Sequence, residues 1–241
     1  MIGIAIPLHL RGGDGEHVAP NLRYLEKIDG IQVVVCGSEG DHSRKFAEQF
    51  NVHYAEVPQG PVCRLSGGTP ELRKKYNDSL QALQDFGTFK WYCLVGANDI
   101  ISKEFWTWLE GQNHDYAMAG VDFGNPYTMT EGNRNVQVKP KYPGWSVKLL
   151  PGVNAYTAAY MDRCDWRPYQ KHYDEVGAEL LARELYTPIL PGPGWVCAVK
   201  SKYDLNTFDH IVNRHRTFDI TQDIRTEIMV AASLMVEFEG F

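Results

Sequence analysis

Apolar residues along this chain follow two rhythms. Residues 2–8, 31–36 and 90–95 are nearly continuous apolar runs, the pattern of strands buried on both faces. Between them the apolar positions recur at helical spacing. Leu22, Leu25 and Ile28 predict a helix over 18–28, which Gly30 closes. A short helix is predicted over 43–50. A longer one is predicted over 70–86, with Leu72, Tyr76, Leu80 and Leu83 on one face. Residues 52–57 alternate, as a short strand does. The order is strand, helix, strand, helix, strand at crossover-unit spacing. Such units connect right-handedly into a parallel sheet, so an α/β fold is expected.

Further on the rhythm changes. Residues 116–121 read as another strand. Residues 122–144 are polar and broken by Gly124, Pro126, Gly132, Pro140 and Pro143, so short, antiparallel strands are expected there. Residues 148–156 lead into an apolar run and then a helix. A helix over 172–185 turns Val176, Leu180, Leu181 and Leu185 inward, and 195–199 is a last strand. After Lys200 the chain is polar and helix-like, with no clear sheet signal. Neither an internal repeat nor a dividing linker is visible, so 1–241 reads as a single domain.

Composition narrows the classes. At 241 residues and 44% hydrophobic, the chain can bury a sizeable core. A net charge of −6 argues against coating nucleic acid as the main task, although a local basic groove is compatible with it. No apolar run approaches a membrane span. The opening Met1-Ile2-Gly3-Ile4-Ala5-Ile6-Pro7 has no charged leader, and a cytoplasmic protein is expected. Cys36, Cys63, Cys93, Cys164 and Cys197 are scattered without a C-x-x-C pair, which indicates neither a disulfide framework nor a zinc site.

The candidate chemistry gathers at Trp91-Tyr92-Cys93-Leu94-Val95-Gly96-Ala97-Asn98-Asp99. Asp99 follows the carboxyl end of a central strand, where ligands bind in open α/β sheets. A carboxylate there can hold a hard cation, and the cation a diphosphate. Equally, Asp99 can simply cap the next helix. Ser102 is a candidate N-cap of that helix, with Glu104 in its first turn and Phe105, Trp106 and Leu109 at helical spacing. The glycine-rich segment 9–15 lacks the G-x-G-x-x-G spacing of a dinucleotide loop. Arg73, Lys74 and Lys75 are consecutive, so a helix cannot aim all three at one site, and most of them read as a solvated face.

Taken together, these segments resemble the GT-A glycosyltransferases, in particular the family 2-like ones of bacteria and bacteriophages, from residue 2 to about 210. Ile4-Ala5-Ile6-Pro7 is similar to the opening strand that meets the nucleotide base. Val33-Val34-Val35-Cys36-Gly37-Ser38-Glu39 resembles the second strand, whose acidic end residue faces base or ribose. Lys74-Lys75-Tyr76-Asn77 resembles the helix that brings a basic residue and Asn to the donor. Leu94-Val95-Gly96-Ala97-Asn98-Asp99 stands where the family carries its D-x-D metal motif, with one acidic residue left. Pro151-Gly152-Val153-Asn154-Ala155-Tyr156 with Met161-Asp162-Arg163 resembles the acceptor-side loop and the step after it. Tyr173-Asp174-Glu175 with Leu180-Leu181-Ala182-Arg183 resembles the acidic element that supplies the base of inverting members.

The resemblance implies a GT-A-like sandwich, a mostly parallel central sheet with helices on both faces. It divides the domain into a nucleotide-sugar-binding half (1–110), an acceptor-binding half (111–210) and a C-terminal helical tail (211–241). It implies donor contacts from Pro7, Leu8, Arg11, Gly37, Ser38, Glu39, Lys75, Asn77, Asn98 and Asp99. Asp99, Asn98 through its carbonyl oxygen, and His210 are the implied ligands of Mn2+ or Mg2+. Asp174 or Glu175 is the implied general base. The implied reaction moves a sugar from a nucleotide-diphosphate donor to a hydroxyl of a glycan, a protein or a hydroxymethylated DNA base.

The chemistry is consistent with those residue types. A leaving diphosphate needs neutralising charge, from a metal on Asp99 or from Lys75. An attacking hydroxyl needs a proton acceptor. Bland readings stand beside these. Asp174 and Glu175 also suit a helix N-terminus, His210 and His215 also suit a surface, and Trp145, Tyr156 and Trp195 also suit simple packing. Two rival functions share the pattern. A nucleotidyltransferase would carry an early G-x-G-T-R-like loop, and Leu10-Arg11-Gly12-Gly13-Asp14-Gly15 lacks that order. A non-catalytic binding protein is compatible with Ala97-Asn98.

Overall fold

A computed structural model of the chain describes residues 1–10, 15, 17–59, 70–120, 127–131, 134–139, 151–170, 175–199 and 216–218. The first half runs β1 (Ile2–Pro7), α1 (Ala19–Leu25), β2 (Ile31–Gly37), α2 (Asp41–Ala47), β3 (His53–Glu56), α3 (Pro70–Ala82) and β4 (Trp91–Val95). Next come β5 (Asp99–Ile101), α4 (Lys103–Glu110), β6 (Tyr116–Gly120), β7 (Tyr127–Glu131), β8 (Arg134–Lys139) and β9 (Pro151–Tyr156). The last elements are α5 (Ala158–Arg163), α6 (Glu175–Glu184), β10 (Ile189–Pro191), β11 (Val196–Val199) and β12 (Arg216–Phe218).

Seven strands form the main sheet, in the order β10-β6-β9-β4-β1-β2-β3. β1 pairs in parallel with β2 and β4, β2 with β3, and β6 with β10. Among the described strands of this sheet, β9 alone runs against its neighbours, β4 and β6. Alternate side chains enter two cores, as the pleat requires. Ile2, Ile4, Ile6, Val33, Val35, Trp91 and Cys93 meet Leu22 and Leu25 of α1, Phe46 of α2, and Phe105 and Leu109 of α4. Ala5, Val34, Cys36, Tyr92, Leu94 and Tyr116 meet Leu80 of α3, Tyr160 and Met161 of α5, and Ala178 and Leu181 of α6. A mostly parallel sheet with helices on both faces is the GT-A-like architecture that the resemblance implied.

A second sheet has the order β12-β8-β7-β11-β5. The expected antiparallel pair within 122–144 is β7 with β8. β11 runs parallel to β7 and antiparallel to β5. Among the described residues, no helix is long and apolar enough to cross a membrane.

Several elements differ from expectation. The segment after β4 is not a plain loop, because Asp99–Ile101 forms β5 against β11. Two β-branched residues, Ile100 and Ile101, favour that pairing. Ser102 stands at the N-cap of α4, yet its hydroxyl bonds no helix N–H. It accepts instead from Trp195 N at 3.2 Å, and Ser102 N donates to Trp195 O at 3.0 Å. Gly194, at φ +97°, makes room for this pair, since a Cβ there would meet Ser102 Oγ at 1.9 Å. The helix expected over 70–86 is α3 followed by a 3-10 turn, Leu83–Phe86. Within the stretch expected as a helical tail, the described residues form a strand, β12, on β8.

Candidate functional site

The strand order fixes where a ligand would sit. Starting from β1, α1 and α2 lie on one face while the chain moves outward through β2 to β3. α3 then crosses to the other face and returns the chain to β4, on the opposite side of β1. The order therefore reverses between β1 and β4, and such a switch point opens a crevice at the carboxyl edge. Parallel register brings the ends of β1, β2 and β4 to that edge, with Pro7 opposite Cys36 and Ala5 opposite Leu94.

At the β1–β2 side, polar groups form a closed network. Leu8 is buried and continues the strand, its N–H donating to Cys36 O at 2.9 Å and its carbonyl accepting from Ser38 Oγ at 2.9 Å. Gly37 sits where a Cβ would meet Ser43 Cβ at 2.5 Å, so it is a packing glycine. The Glu39 carboxylate accepts from Leu10 N at 2.9 Å, from Ser38 N at 3.3 Å and from Ser43 Oγ. His9 Nδ1 lies 2.5 Å from its Oε1. Burial pushes Glu39 upward, but the hydrogen bonds from His9, Ser43 and Leu10, with His9 close by, hold it at about 2. Glu39 was expected to face base or ribose; both its oxygens organise the loop, and its side chain keeps 22% of its surface exposed.

Lys75, the member of the basic run expected to reach the donor, is turned into the protein instead. It is 1% exposed, and its Nζ donates to Ser38 Oγ at 2.8 Å and to Val57 O. Burial drives its pKa down to about 8, against the opposing pull of Cys36, Glu39 and Asp78. The cost of burying this ammonium is offset only in part by the bonds that tie α3 to the ends of β2 and β3. Lys74, by contrast, lies on the exposed side and pairs with Asp78.

On the β4 side stands the turn before β5. Asp99 is 6% exposed and lies opposite Ala198 in the ladder. Its amide donates to Gly96 O at 3.1 Å, and its carboxylate is so near Gly96 that a Cβ there would lie 2.2 Å from Oδ2. Asn98 donates through Nδ2 to Val199 O at 2.8 Å, and its backbone carbonyl accepts from Val199 N at 2.8 Å. Beneath the turn is a residue the sequence reading missed. Asn21 of α1 is fully buried and donates to the carbonyls of Gly96 and Ala97, each at 3.3 Å. A signal was present, because Asn21 lies four residues before Leu25 and seven before Ile28, on the apolar face of α1.

Other candidates fall elsewhere. Asn77 was expected to touch the donor, but its amide is bonded at both ends to the Tyr169 backbone, at 3.0 and 3.1 Å. It anchors α3 to the segment before α6. Tyr156 stacks on Tyr160 at 5.3 Å inside the core, and Trp195 lies 6.5 Å from Tyr24. Glu175 opens α6. Arg11, Trp145, Asp174, His210 and His215 lie outside the described residues. Among the described residues, no three His, Cys, Asp or Glu side chains gather as a metal cluster. Asp99 with the Asn98 amide fits a hard cation shared with substrate phosphates, which needs only one or two carboxylates, and not one caged by protein alone.

No protein-family model matches this chain, and no curated protein matches it. Solved structures do resemble it at low identity. TarS of S. aureus, as its fragment 1-349, is 15% identical with a TM-score of 0.48, over 82% of this chain and 60% of that one. A longer TarS structure has the same score, and the chain spans 37% of its length. A protein described as a nucleotide-diphospho-sugar transferase, from Desulfovibrio desulfuricans G20, is 14% identical with a TM-score of 0.46, over 82% and 80% of the two chains. The 4-diphosphocytidyl-2C-methyl-D-erythritol synthase of Anaerococcus prevotii is 11% identical with a TM-score of 0.44, over 88% and 94%.

Proposed function

We propose that this chain is a glycosyltransferase that moves a sugar from a nucleotide-diphosphate sugar to a hydroxyl acceptor on a glycan, a protein or a hydroxymethylated DNA base. The observation that carries the reading is the position of Asp99. It is a buried carboxylate on a braced turn, at the carboxyl edge beside the β1/β4 switch point.

In this reading the nucleotide lies across the ends of β1 and β2, and the diphosphate reaches the turn 96–98. Asp99 and the Asn98 amide oxygen would hold Mn2+ or Mg2+ brought in by the diphosphate, and that ion supplies Lewis-acid neutralisation of the leaving group. Asn21 and Gly96 keep the Asp99 carboxylate in one position, so the donor does not have to order it. Lys75 fixes Ser38 at the end of β2. Asp174 or Glu175, at the start of α6, takes the proton of the attacking hydroxyl.

The test is donor hydrolysis without acceptor. Uridine, guanosine, thymidine and adenosine diphosphate sugars are incubated with the protein and manganese, beside Asp99→Asn. Free nucleoside diphosphate released by the wild type alone supports the reading. Pyrophosphate formed from a nucleoside triphosphate and a sugar phosphate would replace it with nucleotidyl transfer. If neither product appears while a nucleotide sugar still raises the melting temperature, the chain is a binding protein.

A further inference from the structure

Glu39 is engaged by the loop around it, and it holds a group that is more open. His9 stands two residues past Pro7, on the continuation of β1. Its Nδ1 is enclosed and lies 2.5 Å from Glu39 Oε1, while the side chain keeps 35% of its surface exposed. The exposed part of the ring lies away from Nδ1. β1 is the direct neighbour of β4, whose continuation carries Asp99. The two strands run parallel, so His9 and the turn that leads to Asp99 both follow carboxyl ends at the same edge of the sheet.

We propose that His9, oriented by Glu39, is a phosphate-binding group of this site, its Nε2–H donating to an oxygen of a nucleoside diphosphate. The proposal rests on the reading that the crevice takes a nucleotide donor. A carboxylate on Nδ1 fixes the ring's orientation and leaves Nε2 as the outward atom. With both ring nitrogens protonated, the pair with Glu39 carries no net charge. It then presents an N–H to an anion without burying a lone cation. Of the other groups around the dyad, Ser43 of α2 is neutral. Lys75 of α3 is turned to Ser38 and Val57, so its charge is committed within the protein.

Two alternative uses of the ring make different demands. A ring that stacks on the nucleobase contributes equally to a nucleoside and to its diphosphate. A ring that only braces the loop contributes to neither. The experiment is a titration of wild type, His9→Ala and His9→Gln with a nucleoside diphosphate and with the matching nucleoside. Chelator is present, so that metal plays no part. Long-range proton–nitrogen NMR of the His9 ring is recorded on the wild type alongside.

We expect His9→Ala to weaken the nucleoside diphosphate by roughly 10- to 100-fold and to leave the nucleoside unchanged. His9→Gln, which keeps an N–H donor, should recover part of the loss. The Nε2 resonance should move with the diphosphate and not with the nucleoside. An equal loss for both ligands, or no loss for either, overturns the proposal. If His9→Ala does not fold, the wild-type Nε2 response decides alone. The titration is repeated with manganese: a wild type that binds no nucleoside diphosphate in either condition overturns this proposal together with the donor reading, whereas wild-type binding that His9→Ala leaves unchanged, in whichever condition the wild type binds, overturns this proposal alone.

Discussion

Replacing Lys75 with Met should change the sign of its effect on stability with pH. The native ammonium titrates at about 8 instead of the ordinary 10.5, which corresponds to a cost of about 3 kcal/mol at neutral pH. Between those two values the unfolded chain binds the proton and the native protein does not, so wild-type stability rises with pH there. Met fills a similar volume without the charge. It forfeits the bonds to Ser38 Oγ and Val57 O, at about 1 kcal/mol each. Lys75→Met should therefore be more stable than wild type by about 1 kcal/mol at pH 7 and less stable by about 2 kcal/mol near pH 10.5. Urea unfolding followed by tryptophan fluorescence at both pH values reads this directly. A difference between the two proteins that stays constant from pH 7 to 10.5 would refute the argument, because the ammonium would then carry no burial cost.

Glu39 makes the opposite prediction. Its carboxyl is held at about 2 against an ordinary 4.5, so its contribution is present above the ordinary value and is lost as pH falls toward 2. Glu39→Gln should cost stability at pH 7, by less than the full shift because the carboxylate is partly solvated, and progressively less below pH 4.5, with the two unfolding midpoints converging near pH 2. Asp99→Asn, which preserves shape, should abolish transfer while shifting the melting temperature little; full activity would remove Asp99 from the chemistry. In Gly96→Ala the new methyl would lie 2.2 Å from Asp99 Oδ2, so the carboxylate must move, and turnover should fall even though no polar group is lost. Asp174→Asn and Glu175→Gln, made separately, should bind donor normally, and the one that is the base should lose kcat. Wild-type turnover in both would place the base elsewhere.

Much of the frame was legible because strands buried on both faces cannot disguise themselves. β1, β2 and β4 are continuous apolar runs, and their alternation with helices already implied the parallel sheet. The carboxyl-edge position of Asp99 followed from the same pattern. What escaped the sequence was pairing at a distance. β5 is three residues long, and its partner β11 lies almost a hundred residues away, so local periodicity carried no sign of it. Ser102 looks like an N-cap because its neighbours are helical, and its real partner, Trp195, is visible only in space. Lys75 was singled out from the basic run as a donor contact, but nothing in the run showed that its ammonium would be bonded to Ser38 and Val57. Asn77 misled for a related reason: its amide is matched to the Tyr169 backbone, a partner that no motif specifies.

The turn that presents Asp99 leaves one sheet and enters another within three residues, and α1 grips it from below. Such a segment has no hinge of its own. Its amides should exchange with solvent only when one of the two sheets opens, and not through local fraying. The Asp99 amide, bonded to Gly96 O, is the probe: its protection should match that of the β4 core and should be nearly the same with and without nucleotide. Ordering of this carboxylate then belongs to the folding reaction, and substrate binding inherits it at no further entropic cost.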